Sequence, residues 1–299
     1  MKKTITILIT LMIPIALAAT FVGIFSGSGG GSYMYESIRG EEIEIYGRGL
    51  YRHMSADVAI QGIAQDYITL FAGIPLLFIS LAWFLRGSNR GRLLLAGVAL
   101  YFFVTYLFYT AMGMYNPLFL AYVALTGLSL WVLLLLFTGT DVGKLRQQFK
   151  PGVPARIVGG FLVFNASAIA LLWLSVIVPP LLEGTIYPDG LDHYTTMIVQ
   201  GLDLALMLPL SIVSGVMLWR HRPVGYMAGT VFVVFLSLLM SALTAKLVAM
   251  SLHDVNVVPA IFIIPAFAVF AIACSAIMLR KLGERVPVDK SPQKGMDLV

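Results

Sequence analysis

The sequence predicts an all-α protein, a polytopic membrane helix bundle with about eight transmembrane helices. Of its 299 residues, 59% are hydrophobic and 12% are charged, whereas a soluble domain has about 45–50% and about 25%. Backbone groups inside a bilayer must be hydrogen-bonded within the spanning element, and a helix needs about 20 apolar residues to cross. Eight stretches are long enough, at about residues 4–25, 66–85, 93–112, 117–138, 157–179, 197–219, 224–250 and 257–279.

The first apolar stretch has two interpretations. Lys2 and Lys3 precede it, and the small residues at 16–18 would suit the end of a signal peptide. The apolar run continues to Phe25, however, and exceeds the roughly 7–15 residues of a signal-peptide core. We therefore expect a retained helix.

Basic residues distinguish the two sides of the predicted membrane. Sixteen of the 20 Lys and Arg residues lie at the N terminus, in alternate connections or after the last span, and only Arg39, Arg48 and Arg52 lie in the opposite connections. Connections rich in Lys and Arg stay in the cytoplasm. The sequence thus predicts a plasma (inner) membrane protein with both termini cytoplasmic, whose net charge of +5 favours anionic lipids over nucleic acid as partners.

The two halves of the chain share an ordered set of residues. The matched pairs have identical offsets, and they are Pro75 and Pro209, Ser80 and Ser214, Arg86 and Arg220, and Gly91 and Gly225. Four helices in each half give both halves the same orientation, which predicts two parallel four-helix repeats, either functional or a doubling of packing surface. The predicted segments are a first repeat at 1–138 with an outer loop at 26–65, a cytoplasmic linker at 139–156, a second repeat at 157–280 and a disordered tail at 281–299.

Three ionisable residues lie within the predicted spans, namely Asp66, Asp203 and Lys246. Such residues usually face the bundle interior or water and bind ligands or protons. The two carboxylates could form an outward-facing site for a cation, a proton or an amine, or each could cap its helix near the positive end of the helix dipole. Lys246 has a depth similar to that of Asp203 and could pair with it, or its ammonium could reach the interface.

The remaining candidate ligand-binding residues are polar side chains near the same side of the membrane: His53, His193, Tyr106, Tyr109, Asn116 and Asn256. Tyr106 and Tyr109 lie deep enough to donate hydrogen bonds to Asp66. The histidines lie near carboxylates but lack the spacing of a metal motif, so no metal or other cofactor is predicted. Asn165, in the fifth span, is expected to form an interhelical hydrogen bond.

Motifs for catalysis are absent from the sequence. The single cysteine, Cys274, excludes an intramolecular disulfide and a dithiol centre. The sequence has no phosphate-binding loop, nucleophile-elbow serine, HExxH or haem-attachment motif. A membrane-embedded enzyme is therefore only the third interpretation.

Several short runs resemble a group of uncharacterised prokaryotic multi-pass membrane proteins. They are Gly49-Leu50-Tyr51-Arg52-His53, Gln65-Asp66, Gly91-Arg92 and Asn116-Pro117-Leu118-Phe119-Leu120. The resemblance covers most of the chain and implies no activity.

The leading hypothesis is transport or binding of a small solute or ion at a polar site between the two repeats. The alternative is a membrane sensor or assembly factor that binds a ligand or protein through its outer loops. Transport predicts a water-accessible cavity that continues toward the cytoplasm, whereas a sensor predicts a shallow outer pocket. The sequence leaves homo-oligomer formation open.

Overall fold

The computed structural model describes residues 1–188 and 190–284. Within these described residues, eight helices are long and apolar enough to cross a membrane. The predicted all-α membrane helix bundle is therefore confirmed. Residues 285–299 of the predicted tail lie outside the described residues.

The described elements include a small hairpin, one short helix and the eight spans. The hairpin consists of β1 (Tyr33–Glu36) and β2 (Glu42–Ile45), and the short helix is α5 (Val142–Gln147). The spans are α1 (Lys2–Phe25), α2 (Ala56–Leu85), α3 (Asn89–Ala111), α4 (Phe119–Thr138), α6 (Ala155–Glu183), α7 (Ile198–Trp219), α8 (Pro223–Ser251) and α9 (Ala260–Lys281).

Helix α2 begins ten residues earlier than the apolar run at 66–85 predicts, because its first turns are amphipathic. Ala59, Ile60 and Ala64 are buried, while Asp57 is exposed and Gln61 is partly exposed. A helix with one apolar face can extend beyond the hydrocarbon and still bury that face. Asp66 therefore lies in the middle of α2, whose N-cap is Ser55, and the interpretation of Asp66 as a helix cap is wrong.

Helices α2 and α7 each contain a π-helical turn, at Thr69–Gly73 and at Asp203–Met207. A proline follows each turn, Pro75 in α2 and Pro209 in α7. Proline has no N–H for the helical ladder and crowds the preceding turn, which favours a local change in winding. The first residues of the two π turns are separated by the same number of residues as the two prolines.

The hairpin turns between α2 and α3 and between α7 and α8 also have the same geometry. A Cβ added at Gly91 would lie 2.5 Å from the backbone nitrogen of Phe84, and one added at Gly225 would overlap that of Leu218. In both turns a backbone N–H closes the end of the helix, from Ser88 in one and Arg222 in the other. Both glycines thus permit a tight approach of consecutive helices.

Helices α3 and α8 form the centre of the bundle and contain the largest sets of buried side chains. Helix α8 contacts α2, α3, α7 and α9, and therefore joins the two halves of the chain. Helix α1 packs on α4 and α2, and α6 packs on α7. The faces of the peripheral helices that point away from the centre expose large apolar side chains, as expected for contact with lipid.

The connections meet at two opposite ends of the bundle. At the basic end, which carries the connections rich in Lys and Arg, the side chain of Asn89 bonds to that of Gln148 and Arg90 donates to the Leu282 carbonyl at 2.9 Å. At the other end, the loop end, residues 26–55 contact residues 190–194. The alternation of connections along the chain is therefore reproduced in space.

We expect Gly91→Ala and Gly225→Ala each to lower the free energy of unfolding by about 1–3 kcal/mol, because the added methyl group overpacks a helix contact formed by backbone atoms. Thermal unfolding of the detergent-purified protein measures the effect. Gly127→Ala is the matched control, since open space surrounds Gly127 in α4 and alanine has the higher helix propensity. Equal behaviour of all three variants would contradict the proposed close contacts.

Candidate functional site

The three ionisable residues predicted within the spans all lie in the half of the bundle nearer the loop end. Asp66 is 2% exposed, whereas Asp203 and Lys246 are partly exposed. Lys246 in α8 is within coulombic range of both carboxylates. The ion pairs among the described residues join other groups, so the predicted salt bridge between Asp203 and Lys246 is not formed. One cation and two carboxylates thus share a region without direct contact.

Asp66 is enclosed by phenolic hydroxyl groups. The Tyr51 hydroxyl donates to Oδ2 of Asp66 at 2.5 Å. The Tyr109 hydroxyl lies 3.3 Å from Oδ1 but only 2.9 Å from the Gly62 carbonyl, so its proton is directed mainly to the carbonyl. Tyr109 is thus within reach of Asp66 as predicted, while Tyr106 forms no such bond.

Tyr51 is the contact that sequence reasoning missed. It belongs to the loop before α2, and no helical periodicity connects it with Asp66. Burial and the nearby Asp66 carboxylate raise the pKa of Tyr51 well above its usual value. The phenol therefore remains protonated and acts as a donor near neutral pH. Tyr51 covers Asp66 on the side of the loop end.

Four rings form a cluster beside Asp66, which we call the tyrosine cluster: Tyr51, Tyr106, Tyr109 and Tyr122. The ring centroids of Tyr109 and Tyr122 are 5.3 Å apart, and those of Tyr106 and Tyr122 are 6.0 Å apart. The hydroxyls of Tyr106 and Tyr122 are buried and have no hydrogen-bond partner among the described residues. An unsatisfied buried polar group costs about 1–3 kcal/mol, and both phenols therefore lower the stability of the bundle relative to fully bonded groups.

Gly23 of α1 forms the opposite wall of this region. A Cβ at Gly23 would overlap the Asp66 carboxylate. Glycine is therefore required for α1 to approach α2 at this depth. Together, α1 and Tyr51 seal Asp66 from the surroundings.

Asp203 lies beside a small cavity between α6, α7 and α8, which we call the Asp203 cavity. It offers about 30 Å³ to water-sized molecules, enough for one or two waters. Its polar lining consists of Asn165, Asp203 and Ser211, and aromatic rings of α8 close another side. The Trp173 indole N–H donates to Oδ2 of Asp203 at 3.0 Å.

Asn165 does not form the predicted interhelical hydrogen bond. Its side chain is 2% exposed, and its Nδ2 has no partner among the described residues although it lines the Asp203 cavity. A buried amide donor and a carboxylate acceptor therefore face the same space. This combination suits a small molecule that both accepts and donates hydrogen bonds.

The loop-end segments of α2 and α7 differ in their surroundings. Residues of α2 before its π turn include buried ones such as Gln65 and Asp66, and Gln65 donates to the Tyr101 hydroxyl of α3 at 2.8 Å. The corresponding segment of α7, Ile198–Leu202, has no buried residue. Asp203 is therefore the more accessible of the two carboxylates.

Histidines of the two long loops meet above the spans. The His193 Nε2 lies 3.0 Å from the His53 carbonyl oxygen, and Arg39 donates to the backbone carbonyls of Asp192 and Tyr194. Burial raises the pKa of Tyr194. Within residues 1–188 and 190–284, no three His, Cys, Asp or Glu side chains are grouped to hold a metal ion. We call this contact of the two loops the loop clasp.

Asn116 and Asn256 occupy similar turns before α4 and α9. The Asn116 Oδ1 accepts from the backbone N–H of Leu118 at 2.9 Å, and the Asn256 Oδ1 accepts from that of Val258 at 3.1 Å. Such side-chain bonds to the backbone two residues later favour turns before helices. Both asparagine side-chain oxygens therefore stabilise the turns that precede α4 and α9.

The described geometry brings together two intramembrane carboxyl groups, one lysine side chain and unsatisfied hydrogen-bonding groups, a combination whose chemistry suits protons or small polar solutes. Comparisons with family models, curated proteins and solved structures found no match to this chain.

We expect Tyr51→Phe to lower the free energy of unfolding by about 1–3 kcal/mol, because it removes a hydrogen bond to a buried carboxyl group. Thermal unfolding in detergent measures this change. Tyr33→Phe is the control, since Tyr33 is 49% exposed in β1. If both variants unfold at the same temperature as the unmodified protein, the Tyr51 contact does not stabilise the bundle.

Gly23→Ala is expected to destabilise the protein by roughly 1–3 kcal/mol, because the new methyl group displaces either α1 or the Asp66 carboxylate. Gly27→Ala provides the comparison, since no atom lies within 4 Å of a Cβ built there. Differential scanning fluorimetry of both variants tests the prediction. A neutral Gly23→Ala would show that α1 is not held against Asp66.

Proposed function

We propose that this integral membrane protein binds a small solute or ion inside the loop-end half of its bundle, with the Asp203 cavity as the binding position. The single observation that carries the proposal is the unpartnered Asn165 amide facing the same cavity as Asp203. A buried amide without a partner costs about 1–3 kcal/mol. A ligand that accepts from Asn165 and donates to Asp203 removes that cost.

The position of Asp203 in α7 supports a role beyond packing. It is the first residue of a π-helical turn, and single π turns within α-helices occur frequently at functional sites. The preceding segment, Ile198–Leu202, contains no buried residue and therefore has little packing to hold it in place. We expect this segment to move outward when a solute larger than water enters.

Asp66 and Lys246 set the charge of the proposed site. Lys246 lies near Asp66 as well as Asp203, so one basic side chain and two acidic side chains share this region. Asp66 is sealed by Tyr51 and α1. We therefore assign Asp66 as a fixed electrostatic partner and Asp203 as the residue that contacts the ligand.

Internal duplication fits this division of roles. The matching π turns, the matching prolines and the matching glycine turns favour two four-helix repeats in parallel orientation. In transporters with parallel repeats, substrates bind near the interface between the repeats. The lining of the Asp203 cavity comes from the second half alone, and Lys246 links this region to the first half because α8 contacts both halves. Transport is therefore our first candidate, with the basic end in the cytoplasm according to the distribution of Lys and Arg.

The loop clasp favours a second candidate, a membrane sensor. Contacts of Arg39 with Asp192 and of His193 with His53 join the two long loops. A ligand or protein that binds the clasp would act on both halves at once. Uptake measurements separate the two candidates, because a sensor binds its ligand without moving it across the membrane.

The first experiment measures thermal stabilisation of the detergent-purified protein by a panel of monovalent cations, ammonium, alkylamines and small hydroxylated or amide solutes. A ligand at a concentration of 100 times its Kd stabilises the folded state by about 2.7 kcal/mol. We expect one class to stabilise the unmodified protein, and Asp203→Asn and Asn165→Leu to reduce that effect strongly. Asp141→Asn, at an exposed carboxylate of the basic end, is the control and should retain it.

Two results would refute the proposed site: stabilisation that persists in both cavity variants, or no stabilisation of the unmodified protein by any class. If a solute binds through the cavity, uptake of that solute into proteoliposomes supports transport. Binding without uptake supports the sensor. A cysteine-accessibility assay can locate the basic end of the bundle. If it places the basic end outside the cell, it contradicts the assigned orientation.

A further inference from the structure

A groove at the basic end of α7 has a composition unlike that of the Asp203 cavity. Its volume is about 300 Å³, and it is lined by Ile212, Val213, Val216, Met217, Arg220 and Arg222. Four apolar side chains of the helix thus lie directly below two guanidinium groups of the following turn. Because the rest of α7 is membrane-spanning, this groove faces the lipid near one membrane surface.

Within residues 1–188 and 190–284, the two arginines form no ion pair. The ion pairs among the described residues join Arg90 to Glu284 and Lys144 to Asp141, and neither involves Arg220 or Arg222. Several other basic residues at this end are engaged within the protein: Arg92 donates to the Gly139 carbonyl at 2.6 Å, and Arg146 lies over the Tyr226 ring at 4.0 Å. Both Arg220 and Arg222 are exposed.

The turn that carries the arginines is held in a defined conformation. The backbone N–H of Arg222 donates to the Met217 carbonyl at 2.9 Å, and His221 lies within 2.9 Å of the Tyr226 hydroxyl. Gly225 permits α8 to approach the end of α7 closely. The guanidinium groups are therefore attached to a turn whose backbone is fixed by hydrogen bonds and by the contact with α8.

The equivalent turn of the first half lacks this pair. Arg86 corresponds to Arg220, but Ser88 stands at the position of Arg222 and its hydroxyl accepts from the Gly91 N–H at 3.0 Å. The second-half turn thus has an arginine at the position where the first-half turn has a serine. This difference supplies a built-in control.

We propose that the groove of α7 is a binding site for an anionic phospholipid, whose phosphate contacts Arg220 and Arg222 and whose acyl chain lies along Val213, Val216 and Met217. Guanidinium groups bind phosphates through paired, charge-assisted hydrogen bonds. Basic residues close to an anionic membrane surface each contribute about 1 kcal/mol. An acyl chain is the apolar partner that the bilayer supplies to a lipid-facing groove.

The proposal is tested with the full-length protein in nanodiscs and by native mass spectrometry, with phosphatidylglycerol and phosphatidylcholine as lipid probes. We expect phosphatidylglycerol to be retained preferentially. The double substitution Arg220→Gln with Arg222→Gln should weaken that retention about thirtyfold, since two charges are lost. Arg86→Gln, in the first-half turn, should change it far less.

A second variant separates a lipid from a free anion. Val213→Trp fills part of the groove and leaves both guanidinium groups in place, because Val213 is 50% exposed on α7. We expect it to reduce phosphatidylglycerol retention, and we expect glycerol phosphate without acyl chains to give no stabilisation. Equal retention of both lipids, an unaffected double arginine variant, or full stabilisation by glycerol phosphate would each overturn the proposal. Melting temperatures in pure detergent confirm that the variants are folded.

Discussion

The hydrocarbon layer contains no water, so each polar side chain within the spans needs a partner inside the bundle. Most hydroxyl groups meet this constraint locally: Thr20 and Thr230, for example, donate to the carbonyl four residues earlier in their own helices. The buried groups without a partner among the described residues are few, and those within the spans are the hydroxyls of Tyr106 and Tyr122 and the amide of Asn165. These exceptions lie beside the two intramembrane carboxylates. Within the described spans, the unmet hydrogen-bonding capacity thus lies beside Asp66 and at the Asp203 cavity, while Arg39 and His193 of the loop clasp carry the other unpartnered atoms.

The same helical hairpin geometry occurs in both halves, but its surroundings differ. In the first half, α1 and Tyr51 cover the segment that carries Asp66. In the second half, α6 packs on α7, yet the loop-end segment Ile198–Leu202 remains without buried residues. A sealed carboxylate cannot exchange a ligand without disrupting packing, whereas an accessible one can. If the halves arose by duplication, this asymmetry is what would allow only one of them to bind a solute.

The fold was predictable because apolar runs of sufficient length have few alternatives in a bilayer. Asp66, Asp203 and Lys246 were also predictable, since charge in an apolar run is evident from the sequence. Tyr109 was also predicted beside Asp66, but their other neighbours were not. Tyr51 reaches Asp66 from a loop, and the cavity next to Asn165 exists only because three helices leave a gap there. The early start of α2 depends on an amphipathic segment whose burial requires neighbouring helices. Local sequence patterns thus identify the ionisable residues whose burial in the membrane costs free energy. Tertiary packing decides which side chains surround them.

The two ends of α7 differ in how firmly they are held, and this difference connects the proposed ligand site with the proposed lipid site. At the basic end, Gly225 and the closed turn fix α7 against α8. At the loop end, the loosely packed segment Ile198–Leu202 precedes the π turn that begins at Asp203. Motion of that segment would change the separation of Asp203 from Lys246 while the basic end stays in place. An anionic lipid bound at Arg220 and Arg222 would strengthen the fixed end, so we expect it to influence the stability of the bundle more than the affinity of the cavity.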